Sequence, residues 1–204
     1  MRIALKVVCL IVMLLCSHQL AAQNLVVNPD FDTDVVGWSP FYDIDFIWDP
    51  LDYQGDPSSG SGFAASTDAP GSNSGIVQCV EPIVAGEAYG LSGWLNVSPS
   101  QAGDGYVGLF VWWRDGAGCT GTQTNALVTP YVASTTGWEQ QTAAPEVAPA
   151  GTVSATLYLN ITKSSPLGVD YYVYFDGIDL HPAGSVFSDG FETGDTSRWS
   201  TAVP

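Results

Sequence analysis

An antiparallel β-sandwich is the fold this 204-residue chain predicts, and three observations carry the prediction. Gly, Pro, Ser, Thr, Asp and Asn interrupt the chain about every ten residues, which is turn punctuation rather than helix punctuation. The segments between them alternate with a period of two. Those segments are rich in β-branched and aromatic residues, and a helical period is hard to find. Many short strands separated by turn signals fit two packed sheets or a barrel, so the class is all-β.

The elements follow in order. Residues 1–22 stand outside the fold: Arg2 and Lys6 flank an apolar run, Val7 to Leu15, followed by a polar break and Leu20-Ala21-Ala22. This is the layout of a secretory signal peptide, with cleavage expected after Ala22 and Gln23 as the new start. The run is too short to span a bilayer permanently. Cys16 follows Leu15 rather than a small residue, which argues against a lipoprotein.

The remaining chain, residues 23–204, is long enough for one buried core. Losing Arg2 and Lys6 takes the formal net charge from −16 to −18, with Arg114, Lys163 and Arg198 as the remaining basic residues. Such a chain is repelled by phosphate backbones and anionic lipid heads, so nucleic acid and membrane surfaces are excluded as partners. Neutral ligands and divalent cations are not. Cys79 and Cys119 are the cysteines left after the leader, and in an exported protein a disulfide between them is the expectation. A zinc site is the weaker alternative, because His181 is the one histidine left to support it.

Three segments alternate cleanly. "AYGLSGWLNV" sets Tyr89, Leu91, Gly93, Leu95 and Val97 against Ser92, Trp94 and Asn96. "YVGLFVWWR" sets Val107, Leu109, Val111 and Trp113 against Tyr106, Phe110 and Trp112. "TVSATLYLNI" sets Val153, Ala155, Leu157, Leu159 and Ile161 against Ser154, Thr156, Tyr158 and Asn160. "YYVYFDGIDL" is strand-like with a less regular alternation. In each clean segment one face suits the space between two sheets. The other mixes aromatics with Asn, Ser and Thr where a solvated sheet would show Lys, Glu and Arg. A buried amide needs partners, so the mixture favours an open groove.

The residues also resemble a known group. "NLVVNPDFDTDVVGW" resembles the opening of carbohydrate-binding modules with the galactose-binding-like jelly-roll sandwich, the type of families four, nine and twenty-two. "SSGSGFAAST", "EPIVAGEAYGLSGWLNV", "TTGWEQQT", "APAGTVSATLYLN" and "YYVYFDGIDL" follow in that group's order, so the resemblance covers Asn24 to Leu180. It implies a sandwich domain over residues 23–181. Two positions depart from the pattern: Asp32 stands where the group has Glu, and Asp176-Gly177 where it has Asp-Asp. The group often holds a structural Ca2+, which the resemblance carries to Asp32 and Asp176, with Asp30 and Asp56 as neighbours. Such sites are built from hard oxygen ligands; the bland alternative is ordinary turn and strand-end acids.

Sugar rings offer a flat C–H face for Trp and Tyr and a polar edge for amides. The expected ligand residues are Trp94, Tyr106 and Trp112, backed by Tyr158 and Tyr172, with Asn96 and Asn160 for hydroxyls. Trp48 and Tyr53 are expected to close one groove end from a loop. Trp38, Trp113 and Trp138 are expected in core or landmark positions. The partner is a polysaccharide or oligosaccharide, and the function expected is non-catalytic binding by a secreted protein. The competing readings are an enzyme, for which no carboxylate spacing stands out among 21 acids, and a structural or adhesive surface protein. His181, beside Pro182, reads as an exit turn.

Residues 182–204 echo the opening. "SDGFETGDTSRWS" repeats the order of "NPDFDTDVVGWS", but the restart ends before it could bury a second core. It resembles a C-terminal tail of secreted bacterial proteins, and a mobile or loosely docked tail is expected.

Overall fold

The computed structural model describes residues 23–183 except Asp43 and Asp68, and only the backbone of Asn125 and Ala126. The leader and the tail from residue 184 lie outside the described residues, so the expectations for both do as well.

The described residues form ten strands: β1 Ser39–Phe41, β2 Ile44–Asp49, β3 Ser61–Ser66, β4 Asn73–Val80, β5 Ala88–Asn96, β6 Gly105–Arg114, β7 Gln123–Val128, β8 Glu139–Val147, β9 Ser154–Lys163 and β10 Tyr171–Pro182. They form two antiparallel five-stranded sheets. The first is ordered β1-β4-β9-β6-β7 and the second β2-β3-β10-β5-β8. The all-β sandwich predicted from the alternation is the fold found.

The period of two decides which residues meet between the sheets. Leu91, Leu95 and Val97 of the second sheet pack towards Val107, Leu109, Val111, Trp113, Leu157, Leu159 and Ile161 of the first, all essentially inaccessible to water. Gly93 keeps its strand close to the core, since a Cβ there would stand 2.7 Å from Ile178 Cδ1 and 2.8 Å from Leu109 Cδ1.

The irregular alternation of "YYVYFDGIDL" has a local cause. The pairing of β10 with β5 slips between Asp176 and Asp179, and Gly177 there takes a φ of +53°. The extra residue puts Ile178 back in the core while Asp179 and His181 stay outside. His181 is therefore a strand residue paired with Gly90, not an exit turn, and β10 runs on to Pro182.

The opening phrase plugs one end of the sandwich. Phe31 is fully buried and stacks on Trp38 at 5.5 Å, while Trp38 Nε1 donates to Asn28 O. A side chain at Gly62 would collide with the Phe31 ring. Trp48 Nε1 donates to Phe31 O, and its ring packs on the core edge, so Trp48 seats this segment and does not close a groove. Cys79 and Cys119 are joined as expected, which ties the turn after β6 to β4.

Candidate functional site

Alternation told inside from outside, but it could not tell one sheet from the other. The structure divides the seven expected ligand residues between opposite surfaces. Tyr106, Trp112, Tyr158 and Asn160 lie on the outer face of the first sheet; Trp94, Asn96 and Tyr172 lie on the outer face of the second. A single groove containing all seven is not formed, and Trp94 and Trp112 do not meet.

On the first sheet, register builds the surface row by row. Gly75 of β4 and Gly108 of β6 both pair with Asn160 of β9, so Asn160 has a glycine on each side. No Cβ rises beside it on either neighbouring strand. The adjoining row holds Val77, Tyr158 and Phe110, and the next holds Cys79, Thr156 and Trp112.

Two groups of rings border the Asn160 floor. Phe41 meets Tyr158 at 5.4 Å, and Tyr158 meets Trp112 at 4.6 Å. Tyr131 contacts Tyr106, beyond the Asn160 row, at 5.0 Å and Phe110, in the row of Tyr158, at 5.5 Å, and its ring lies over Gly108. Tyr131 was missed by sequence reading because it stands in the short segment after β7, outside any alternating run. Its exposure of 51% makes it the most open ring of that group. Burial and the neighbouring Tyr106 raise the pKa of its hydroxyl, so it is a neutral donor at physiological pH.

The floor is polar and partly oriented. Asn160 Nδ2 donates to Thr162 Oγ1, and Thr162 Oγ1 donates to Asn73 Oδ1. That chain fixes one side of the Asn160 amide and leaves its carbonyl oxygen and second N–H for a ligand. Rings at the walls and an amide on the floor can hold a flat, hydroxylated ring.

The outer face of the second sheet is aromatic too, but its rings cover one another. Tyr53 stacks on Trp94 at 5.0 Å and 24°, and Trp138 packs edge-on against both Tyr53 and Tyr174. Phe63 fills the space beside Tyr172 and Tyr174. Asn96 pairs with Tyr174 in this face. Trp138 is thus an outer-face residue rather than a core one, while Trp38 and Trp113 are buried as expected. Tyr53 closes over Trp94, not over the end of the opposite groove.

The four acids expected around Ca2+ do not gather as a set. Asp56 is exposed and accepts from the Ser58 backbone and hydroxyl, which holds its carboxyl below the usual range. Asp32 is exposed and accepts from Ser59 Oγ. Among the described residues no group of three or more His, Cys, Asp or Glu side chains could hold a metal ion.

Asp176 is different. It is fully buried, and its two carboxylate oxygens accept from Tyr53 N at 3.0 Å and Gly177 N at 2.8 Å. Burial, reinforced by the Asp52 and Asp30 carboxylates, still pushes its pKa up to about 8. One step beyond the Phe175–Gly62 pair stands Ser61, whose buried Oγ has no hydrogen-bond partner. Oxygen donors, negative potential and an orphaned hydroxyl suit a hard cation in kind.

At the other end of β10, His181 Nδ1 lies 2.9 Å from Asp179 Oδ2. The hydrogen bond to Asp179 raises the pKa of the imidazole against the opposing effect of burial.

No family model matches this chain, and no curated protein matches it. Solved structures do. The enzymatically active domain of tailspike protein 4 from bacteriophage CBA120 superposes with a TM-score of 0.60 at 12% identity, over 77% of this chain and 21% of that one. The C-terminal family 22 carbohydrate-binding module of Clostridium thermocellum xylanase 10B gives 0.56 at 16% identity, over 78% and 94%. A family 22 xylan-binding domain from a Paenibacillus barcinonensis xylanase gives 0.55 at 16% identity, over 79% and 96%. The chain thus spans about a fifth of the tailspike domain but nearly the full length of the two binding modules. At these identities the likeness establishes the fold alone: a two-sheet antiparallel β-sandwich of the kind seen in these carbohydrate-binding modules.

Proposed function

We propose that the chain is a secreted, non-catalytic polysaccharide-binding protein and that the outer face of the first sheet is its binding surface. The observation that carries this reading is the half-exposed Asn160 amide, flanked by Gly75 and Gly108 and set between Tyr158, Phe110 and Trp112 on one side and Tyr106 on the other, with Tyr131 packed over Gly108. A pyranose ring laid over Asn160 would find aromatic faces for its C–H surfaces and an amide for its hydroxyls. The five strands of this sheet contain no Asp or Glu, whereas glycoside hydrolysis ordinarily requires a carboxyl pair at the bond. That composition supports binding without hydrolysis on this face.

The solved structures are consistent with the proposal. The two family 22 modules are described as taking part in ligand binding through a cleft and as xylan-binding. Neutral, xylan-like polysaccharides are therefore the first ligands to try. Of the four acids expected around Ca2+, Asp176 alone is kept, as a single buried carboxylate to which Asp52 and Asp30 add negative potential. Among the described residues no set of three acids gathers there. An ion at Asp176 would supply charge compensation and no chemistry.

The test is a polysaccharide array probed with the full chain in calcium-containing buffer. A coherent family of hits is expected, abolished in folded Trp112→Ala protein. A blank array from folded protein would overturn the reading and favour a structural or adhesive role.

A further inference from the structure

The acids of this chain are not spread evenly over its two sheets. Asp45, Asp49, Glu139, Glu146, Asp176 and Asp179 all lie on strands of the second sheet, which carry no Lys or Arg. The strands of the first sheet carry no acid and both basic residues of the described chain, Arg114 and Lys163. The Lys163 side chain is fully buried, with Nζ donating to the backbone oxygens of Ser165 and Pro166. That leaves Arg114 as the accessible Lys or Arg of the described residues.

Arg114 lies on the same outer face as Trp112, two residues further along β6. It is half-buried, and its Nε donates to Thr156 Oγ1 at 3.2 Å. Thr156 is the residue paired with Trp112, so this bond draws the guanidinium back beside the Trp112 ring. In a chain with 21 carboxylates, the one ion pair among the described residues is His181–Asp179, and Arg114 takes part in none. A guanidinium oriented through Nε still presents its Nη groups as a planar fork, the arrangement that matches a carboxylate with two parallel hydrogen bonds.

We propose that the Trp112 end of the groove is a subsite for an acidic sugar, with Trp112 stacking on its ring and Arg114 holding its carboxylate. The proposal rests on the glycan-binding reading of the same face. Thr156 lies four residues along β9 from Asn160, about 14 Å at strand rise. The carboxylate is therefore carried by a different sugar unit from the one over Asn160, and the ligand is a chain containing uronic acid units rather than a single sugar. The acids of the opposite sheet stand about one sheet spacing behind this surface. That is comparable to the screening length at physiological salt, so they oppose such a ligand only weakly.

Calorimetry with the full chain tests this against a panel of uronate-bearing polysaccharides, each paired with its own carboxyl-reduced form, and against sulfated polysaccharides. The wild-type chain should bind at least one uronate form about tenfold or more tightly than its reduced partner, the scale of a charge-assisted hydrogen bond. Arg114→Gln should bind both forms alike, while melting cooperatively with no more than the small loss expected from the Thr156 hydrogen bond. Arg114→Lys, which keeps the charge and loses the fork, should fall between. Equal wild-type binding to both forms, a preference surviving in Arg114→Gln, or a preference confined to sulfated chains would each overturn the subsite. Absence of binding to every polysaccharide by folded wild-type chain would instead overturn the glycan-binding reading on which it rests.

Discussion

The two outer faces of this sandwich start from similar material and arrive at different surfaces. Both carry rows of Trp, Tyr and Phe with an amide among them. On the second sheet the rings are consumed internally: Tyr53 folds over Trp94, and Trp138 covers Tyr53 and Tyr174. On the first, glycines flank Asn160, Tyr131 packs over one of them, and the Asn160 amide keeps partial exposure between Tyr158 and Tyr106. Aromatic content on a sheet face does not identify a binding surface. What matters is whether the chain's own side chains occupy the space in front of the rings.

This difference predicts opposite consequences for two tryptophans. The largest effect on stability is expected from Trp94→Ala, which removes the partner of Tyr53 and exposes the environment of buried Asp176. Replacing a packed Trp by Ala costs about 3 kcal/mol or somewhat more. Chemical denaturation should show that loss while polysaccharide affinity stays within about twofold of wild type. Loss of binding with unchanged stability would reverse the assignment of the two faces.

The next effect concerns charge. Asp176 has its pKa raised from 3.8 to about 8, so between those values the folded chain retains a proton that the unfolded chain has released. Without calcium, this group's contribution is therefore fully present below pH 4 and is lost as pH rises towards 8. Melting temperature in a chelator should fall across that window, and added calcium should restore most of it at the alkaline end. Asp176→Asn should flatten the slope and remove the calcium response. A chelator-independent melting temperature in the wild-type chain at pH 8 would remove the ion from the account.

The smallest effect belongs to His181. Its hydrogen bond to Asp179 raises the imidazole pKa, so its stabilisation is present below the ordinary histidine value and fades as pH rises through the folded value. The pair is partly exposed and is worth about 0.5 kcal/mol or less. NMR titration should place His181 above 6.5, and Asp179→Asn should return it to or below that value.

How much of this was legible in the sequence follows the same division. Alternation correctly separated the inward Leu91, Leu109 and Leu159 from the outward Trp94, Trp112 and Tyr158, because period two is a local property of a strand. Which sheet each strand joins is not local. Consecutive strands β5 and β6 sit in different sheets, so their outward residues point in opposite directions from the core. That is why Trp94 and Trp112 looked like neighbours. The glycine row was equally hidden, since Gly75, Asn160 and Gly108 align only through the pairing of three strands. Trp138 and Tyr131 lie next to strands rather than inside alternating runs, and their places depend on packing across the sheet. The pairing of Cys79 with Cys119 was legible because the predicted leader took the other two cysteines with it.

The central claim is that ligand lies over Asn160 on the first sheet, and filling its floor tests this most directly. Gly108→Val, at a position with an ordinary backbone, adds a Cβ that would stand 3.2 Å from the Tyr131 ring, with methyl groups beyond it that push this ring towards the Asn160 amide. Affinity electrophoresis of this variant on the polysaccharide bound by wild type should show at least about a tenfold loss, the scale of one obstructed contact, with its circular dichroism unchanged. Wild-type migration by a folded Gly108→Val chain would contradict the account and move the site off this face.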